Sequence, residues 1–147
     1  MINSLPSERA TVLGVIDPDS YTAATMVTVW ISAANHHSFM AILSVGDIGS
    51  SGTVDAKFRQ ATDVSGTGAK DITGAAITQL VDTTNDNDQV ICNLRATDLD
   101  VAGGFDFIEF SVTTAVAASD LSVVLLGFDP RHTPAADLAS VVEIVSI

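Results

Sequence analysis

The chain has 147 residues and a mass of 15.2 kDa, the size of one domain, with 47% hydrophobic residues and a net charge of -12 from 18 acidic against 6 basic residues. So few Lys and Arg exclude a nucleic-acid binder working by phosphate neutralisation. No apolar run approaches the roughly 18–20 residues of a membrane-crossing helix, and residues 1–6 lack the basic-then-apolar order of a signal peptide. The expectation is a soluble protein made in a cytoplasm, with neither nucleic acid nor membrane as partner. Cys92 is the single cysteine, which leaves no intrachain disulfide and no thiolate-rich zinc site.

Taken in order, residues 1–20 hold Pro6 and Pro18 and only short apolar pieces (Val12, Leu13, Val15, Ile16), and read as an N-terminal arm lying on something else. From residue 21 β-branched runs alternate with turn residues, which predicts strands. Residues 25–32 and 39–45 are nearly continuous apolar runs joined by residues 33–38, as in strands covered on both faces. The clearest strand is residues 53–61: Val54, Ala56 and Phe58 share one face, and Asp55, Lys57 and Arg59 the other. Residues 90–96 set Val90, Cys92 and Leu94 opposite Ile91, Asn93 and Arg95, while residues 106–114 set Ile108, Phe110 and Val112 opposite Phe107, Glu109 and Ser111. Residues 121–128 are apolar on both faces and predict a central strand. Turn clusters at 46–52, 65–68, 85–88 and 103–104 separate these runs. The fold class is therefore all-β, an antiparallel β-sandwich or jelly roll over residues 21–128. Residues 129–147, with Pro130 and Pro134 and then a β-branched ending, read as an extended C-terminal tail.

Chemistry-bearing residues are scattered. Asp82, Asp86 and Asp88 gather oxygen ligands as calcium requires, but without the glycine and terminal glutamate of an EF-hand they read as a turn capping its own backbone. Asp17-Pro18-Asp19 and Asp98-Leu99-Asp100 read the same way. His36 and His37 are adjacent and would point to opposite faces of a strand; His132 is distant. There is no G-x-S-x-G, and the glycine loops lack a G-K-[ST]. Cys92 alternates with apolar neighbours and reads as packing. Trp30 and Tyr21 are too few for a sugar-binding platform. Nothing here supports an enzyme or calls for a cofactor.

Four strings add a resemblance: Gly14-Val15-Ile16-Asp17-Pro18-Asp19-Ser20-Tyr21; Asp55-Ala56-Lys57-Phe58-Arg59-Gln60-Ala61-Thr62-Asp63 with Gly66-Thr67-Gly68-Ala69-Lys70-Asp71-Ile72 after it; Ala76-Ile77-Thr78-Gln79-Leu80; and Leu125-Leu126-Gly127-Phe128-Asp129-Pro130-Arg131. With these the chain resembles, from about Ile16 to Val145, a group of small virion proteins of tailed phages and prophages that are typically encoded near the major capsid protein. In that group an aromatic residue often follows the arginine, where this chain has His132. The resemblance implies a capsid decoration or cement protein on the virion surface, with the major capsid protein and further copies of itself, as a homotrimer, for partners. Other virion components (tail tube, tail tip, head–tail connector) and a carbohydrate-binding adhesion module are the alternatives. Apolar residues on a tail that cannot complete a core of its own need a neighbour, so Val141, Val142, Ile144 and Ile147 are the expected contact residues, with Arg131 as polar anchor.

Overall fold

The computed structural model describes residues 3–146. After a short helix α1 (Pro6–Arg9) come β1 (Ala10–Tyr21), β2 (Thr25–Val27), β3 (Ile31–Ser32), β4 (His36–Ile48), β5 (Thr53–Ala61), β6 (Lys70–Ala76), β7 (Leu80–Val81), β8 (Gln89–Arg95), β9 (Phe107–Ala115) and β10 (Ser119–Pro130). One sheet has the order β1-β10-β4-β8, the other β2-β9-β5-β6. In the second sheet β3 follows β2 along β9 and β7 lies beside β6 along β5, so both sheets are about four strands wide. Every pairing is antiparallel, and the chain crosses between the sheets in the manner of a jelly roll.

The core follows from the alternation. Phe39, Ala41, Leu43 and Val45 of β4 and Leu121, Val123 and Leu125 of β10 face Val54, Ala56 and Phe58 of β5 and Ile108, Phe110 and Val112 of β9. Phe58 and Phe110 meet edge to face at 5.0 Å between ring centres.

Two boundaries are corrected. The predicted arm is in large part a strand, since residues 10–21 pair with β10 from Ala10–Phe128 to Tyr21–Ser119. Pro18 misled because prolines argue against sheet interiors; here it falls within a register shift between Ile16 and Asp19 on an edge strand, where a missing N–H breaks no ladder. At the other end β10 runs on to Pro130, two residues past the expected limit of the sandwich. The run 25–32 also breaks in two. Thr28 lies between β2 and β3, and its hydroxyl accepts the Phe110 N–H at 3.0 Å, taking a backbone carbonyl's place.

Candidate functional site

β10 delivers the chain to the tail at a fixed point. Pro130 sits opposite His36, and the Arg131 N–H donates to the Asn35 carbonyl at 2.9 Å. The tail then turns back to the free edge of β1 and clamps both backbone groups of Val12. The Val12 N–H donates to Asp137 Oδ1 at 2.7 Å, and the Leu138 N–H donates to the Val12 carbonyl at 2.9 Å. Val12 is available because β1 is an edge strand, so its outward backbone groups have no strand partner. A turn closes from the Val141 N–H to the Leu138 carbonyl, and the chain then runs past α1 with Ile144 and Ser146 lining a hollow there. Val141 is half-buried, while Val142, Ile144 and Val145 are 94%, 54% and 79% exposed. Between α1, the start of β1 and the tail lies a hollow of about 890 Å³, lined by Leu5, Glu8, Arg9, His37, Asp137 and Ile144.

Of the residues expected to make contacts, the tail thus brings Val142 and Ile144 to the surface; Arg131 is exposed at its root, and Ile147 lies outside the described residues. Asp137 was missed. A single carboxylate in a proline- and alanine-rich stretch carries no signal until the edge it clamps is known.

The other candidates have structural employment. Asp82 Oδ2 accepts the Ser51 N–H at 2.7 Å, Asp86 Oδ1 accepts the Ile48 N–H at 3.0 Å, and Asn85 Oδ1 accepts the Val81 N–H at 3.0 Å. The two acids cap the β4–β5 turn, and Asn85 caps their own. Asp98 Oδ2 accepts the Arg95 N–H at 2.8 Å, and Asp100 holds Lys70 at 2.6 Å. Among the described residues no group of three or more His, Cys, Asp or Glu is placed to hold a metal ion, and no helix is long and apolar enough to cross a membrane. Cys92 faces inward with Val90 and Leu94, and burial pushes its thiol up.

His36 and His37 do point apart. His37 is exposed, whereas His36 is buried with Nε2 3.3 Å from Thr11 Oγ1 and with no hydrogen-bond partner for Nδ1 among the described residues. Gly127 makes room for it: a Cβ there would come within 2.7 Å of the imidazole. Burial holds the ring below its ordinary pKa, that is, neutral.

The outer faces of the two sheets are unlike. On the six-stranded sheet Lys57 Nζ meets Asp71 Oδ2 at 2.7 Å, Arg59 Nε lies 3.6 Å from Asp71 Oδ1, and Arg59 Nη1 donates to Glu109 Oε1 at 2.9 Å. Burial pushes the Glu109 carboxyl up, and the Arg59 charge works against that. On the four-stranded sheet the register aligns Val15, Val124, Ile42 and Ile91 in one row across all four strands, with Val12, Leu126, Met40 and Asn93 in the next. Val124 is 38% and Ile91 60% exposed. The sequence expectation of strands covered on both sides is therefore met on the inner face alone.

Neither a protein-family model nor a curated protein matches the chain. Among solved structures it is similar to a chain of the Cowpea mosaic virus empty virus-like particle (10% identity, 97% of this chain and 95% of that one, TM-score 0.46). It is also similar to a chain of Broad bean stain virus (12% identity, 94% and 98%, TM-score 0.44) and to one of the Cowpea mosaic virus top component (12% identity, 83% and 84%, TM-score 0.40).

Proposed function

We propose that this chain is a structural protein of a tailed-phage virion, a decoration or cement protein on the outer capsid surface that uses its tail to hold the major capsid protein and, on the particle, sister copies in a homotrimer. The observation that carries the reading is the tail: it is fastened to β1 through Val12 and then presents Val142, Ile144 and Val145 to solvent. Exposed β-branched residues beyond a fixed anchor suit pairing with a sheet edge of another subunit. The resemblance of four sequence strings to small virion proteins favours the capsid as the place of that subunit. Arg131, at the root of the tail, offers a planar fork for a carboxylate or for backbone carbonyls.

The test removes residues 141–147 and measures co-sedimentation with capsids assembled from the major capsid protein encoded beside this chain. Binding should fall at least about tenfold, about 1.4 kcal/mol, while the melting temperature of the isolated protein shifts by no more than about 3 °C. Unimpaired co-sedimentation would refute the tail's role, and a truncated chain that unfolds on its own would make the tail part of the sandwich instead.

A further inference from the structure

The outer face of the four-stranded sheet has the makings of a second contact, on residues other than the exposed ones of the tail. Its two central rows are uncharged: Val15, Val124, Ile42 and Ile91, then Val12, Leu126, Met40 and Asn93. On a chain of net charge -12 these uncharged rows let another acidic copy come close without setting charge on charge at the centre.

Charge is instead sorted to the two ends of the strands. At one end a concavity of about 650 Å³ holds Arg9 and Arg95 beside Phe128 and Met40, together with Asp98 and Asp129. Asp98 is engaged by the Arg95 backbone N–H. Among the described residues the ion pairs are those of Lys57, Arg59 and Lys70, so Arg9 and Arg95 reach this rim without a salt-bridge partner. At the other end a concavity of about 660 Å³ is lined by Asp19 and Asp120 with Ser44, Ser122 and Gln89, and no Lys or Arg.

We infer that this face is the contact for a second copy of the chain, the two sheets stacked about a two-fold axis that runs across the strands along the row Val15–Val124–Ile42–Ile91. That axis reverses strand direction between the copies, so the arginine end of each lies over the aspartate end of the other, twice over, as an isologous interface requires. A two-fold along the strands would instead set aspartate end on aspartate end, Asp19 and Asp120 of one copy over those of the other, and like charges disfavour it. Four strands about 4.8 Å apart and about eight residues at about 3.4 Å each give roughly 500 Å² per copy and about 1,000 Å² in all, the lower bound for a specific interface. The pairing is accordingly reversible. The rim shares Arg9 and Asp129 with the hollow beside the tail, but the pairing is read on the isolated chain without capsid, so its failure and that of capsid binding are distinguishable.

Sedimentation velocity of the full chain at about 0.15 M salt, where charges are screened beyond about 8 Å, tests it over a series reaching about 1 mM. A dimer should appear whose share rises with concentration. Val124→Asp should weaken pairing at least about tenfold with an unchanged circular-dichroism spectrum. Arg9→Glu and Asp120→Arg should each weaken it by about threefold, and the two combined should restore it. Neither residue makes an ion pair in the fold, so both variants should fold. A strict monomer throughout, or a dimer that Val124→Asp leaves intact, overturns the inference; a double variant no better than the singles overturns the orientation. Should the wild-type chain stay monomeric and Val124→Asp instead lose binding to purified major capsid protein, the face belongs to that partner and self-pairing is wrong.

Discussion

The two sheets of this sandwich share a core and differ on their outer faces. The six-stranded sheet closes its surface with the chain's own charges, in the ladder Lys57–Asp71–Arg59–Glu109. The four-stranded sheet leaves Val124 and Ile91 uncovered. One face is finished within the chain and costs stability when a member is removed. The other stays open on a single copy, and the pairing proposed above would cover it.

The largest expected effect strikes the finished face. Arg59→Ala leaves the buried Glu109 carboxylate without its cation, and urea unfolding at neutral pH should show a loss of about 2–3 kcal/mol, given that Arg59 is itself partly exposed. Glu109 already has a raised folded pKa, and losing Arg59 raises it further. A group of that kind stabilises below its unfolded pKa and costs stability as pH rises through the folded value. The gap between wild type and Arg59→Ala should therefore narrow as pH falls toward the ordinary glutamate range; a gap that widens would mean that Glu109 is not the stranded charge.

Acid should separate the sheets next. His36 has a lowered folded pKa, so its stabilising effect is complete above its ordinary value of 6.5 and is lost as pH falls below it, by at most about 1.4 kcal/mol per pH unit for one proton. Amide protection factors near Phe39 and Gly127, taken relative to the intrinsic exchange rate at each pH, should fall below about pH 6.5 while those of β5 and β9 hold, and His36→Gln should remove the difference. The loop acids act in another window. Asp100, lowered chiefly by its hydrogen bond from Lys70, and Asp63, lowered chiefly by hydrogen bonds from Thr67, give stability that is present above the ordinary aspartate value of 3.8 and is lost as pH falls through their folded values.

The smallest effect belongs to the open face. Ile91→Lys puts a charge on an edge strand at a 60% exposed position and should leave the unfolding midpoint of the isolated chain within about 0.5 kcal/mol. A larger loss would show that this face supports the fold of one copy.

What could be read from the sequence depended on whether a residue's neighbours were local. The strand β5 was legible to its ends because Val54, Ala56 and Phe58 alternate with Asp55, Lys57 and Arg59 in the period of a half-buried strand. β1 was not, because its only neighbour in the sheet is β10 and Pro18 imitates a break. The exposed residues of the tail were legible as apolar groups without a core, but the Asp137 clamp was not, since its partner Val12 is 125 residues away. The row across the four-stranded sheet draws one residue from each of four strands and exists only once the register is known.

Ala10 pairs with Phe128 and Tyr21 with Ser119, so β1 has no sheet partner until nearly the whole chain has left the ribosome. Synthesis at about 5–20 residues per second makes that a wait of many seconds for Val12, Val15 and Ile16. The hairpin of β5 and β6 needs no such delay, being contiguous in sequence. Order of emergence therefore opposes order in space: the first long strand made waits for the last one before it is seated, and until β10 arrives its apolar residues have no sheet to cover them.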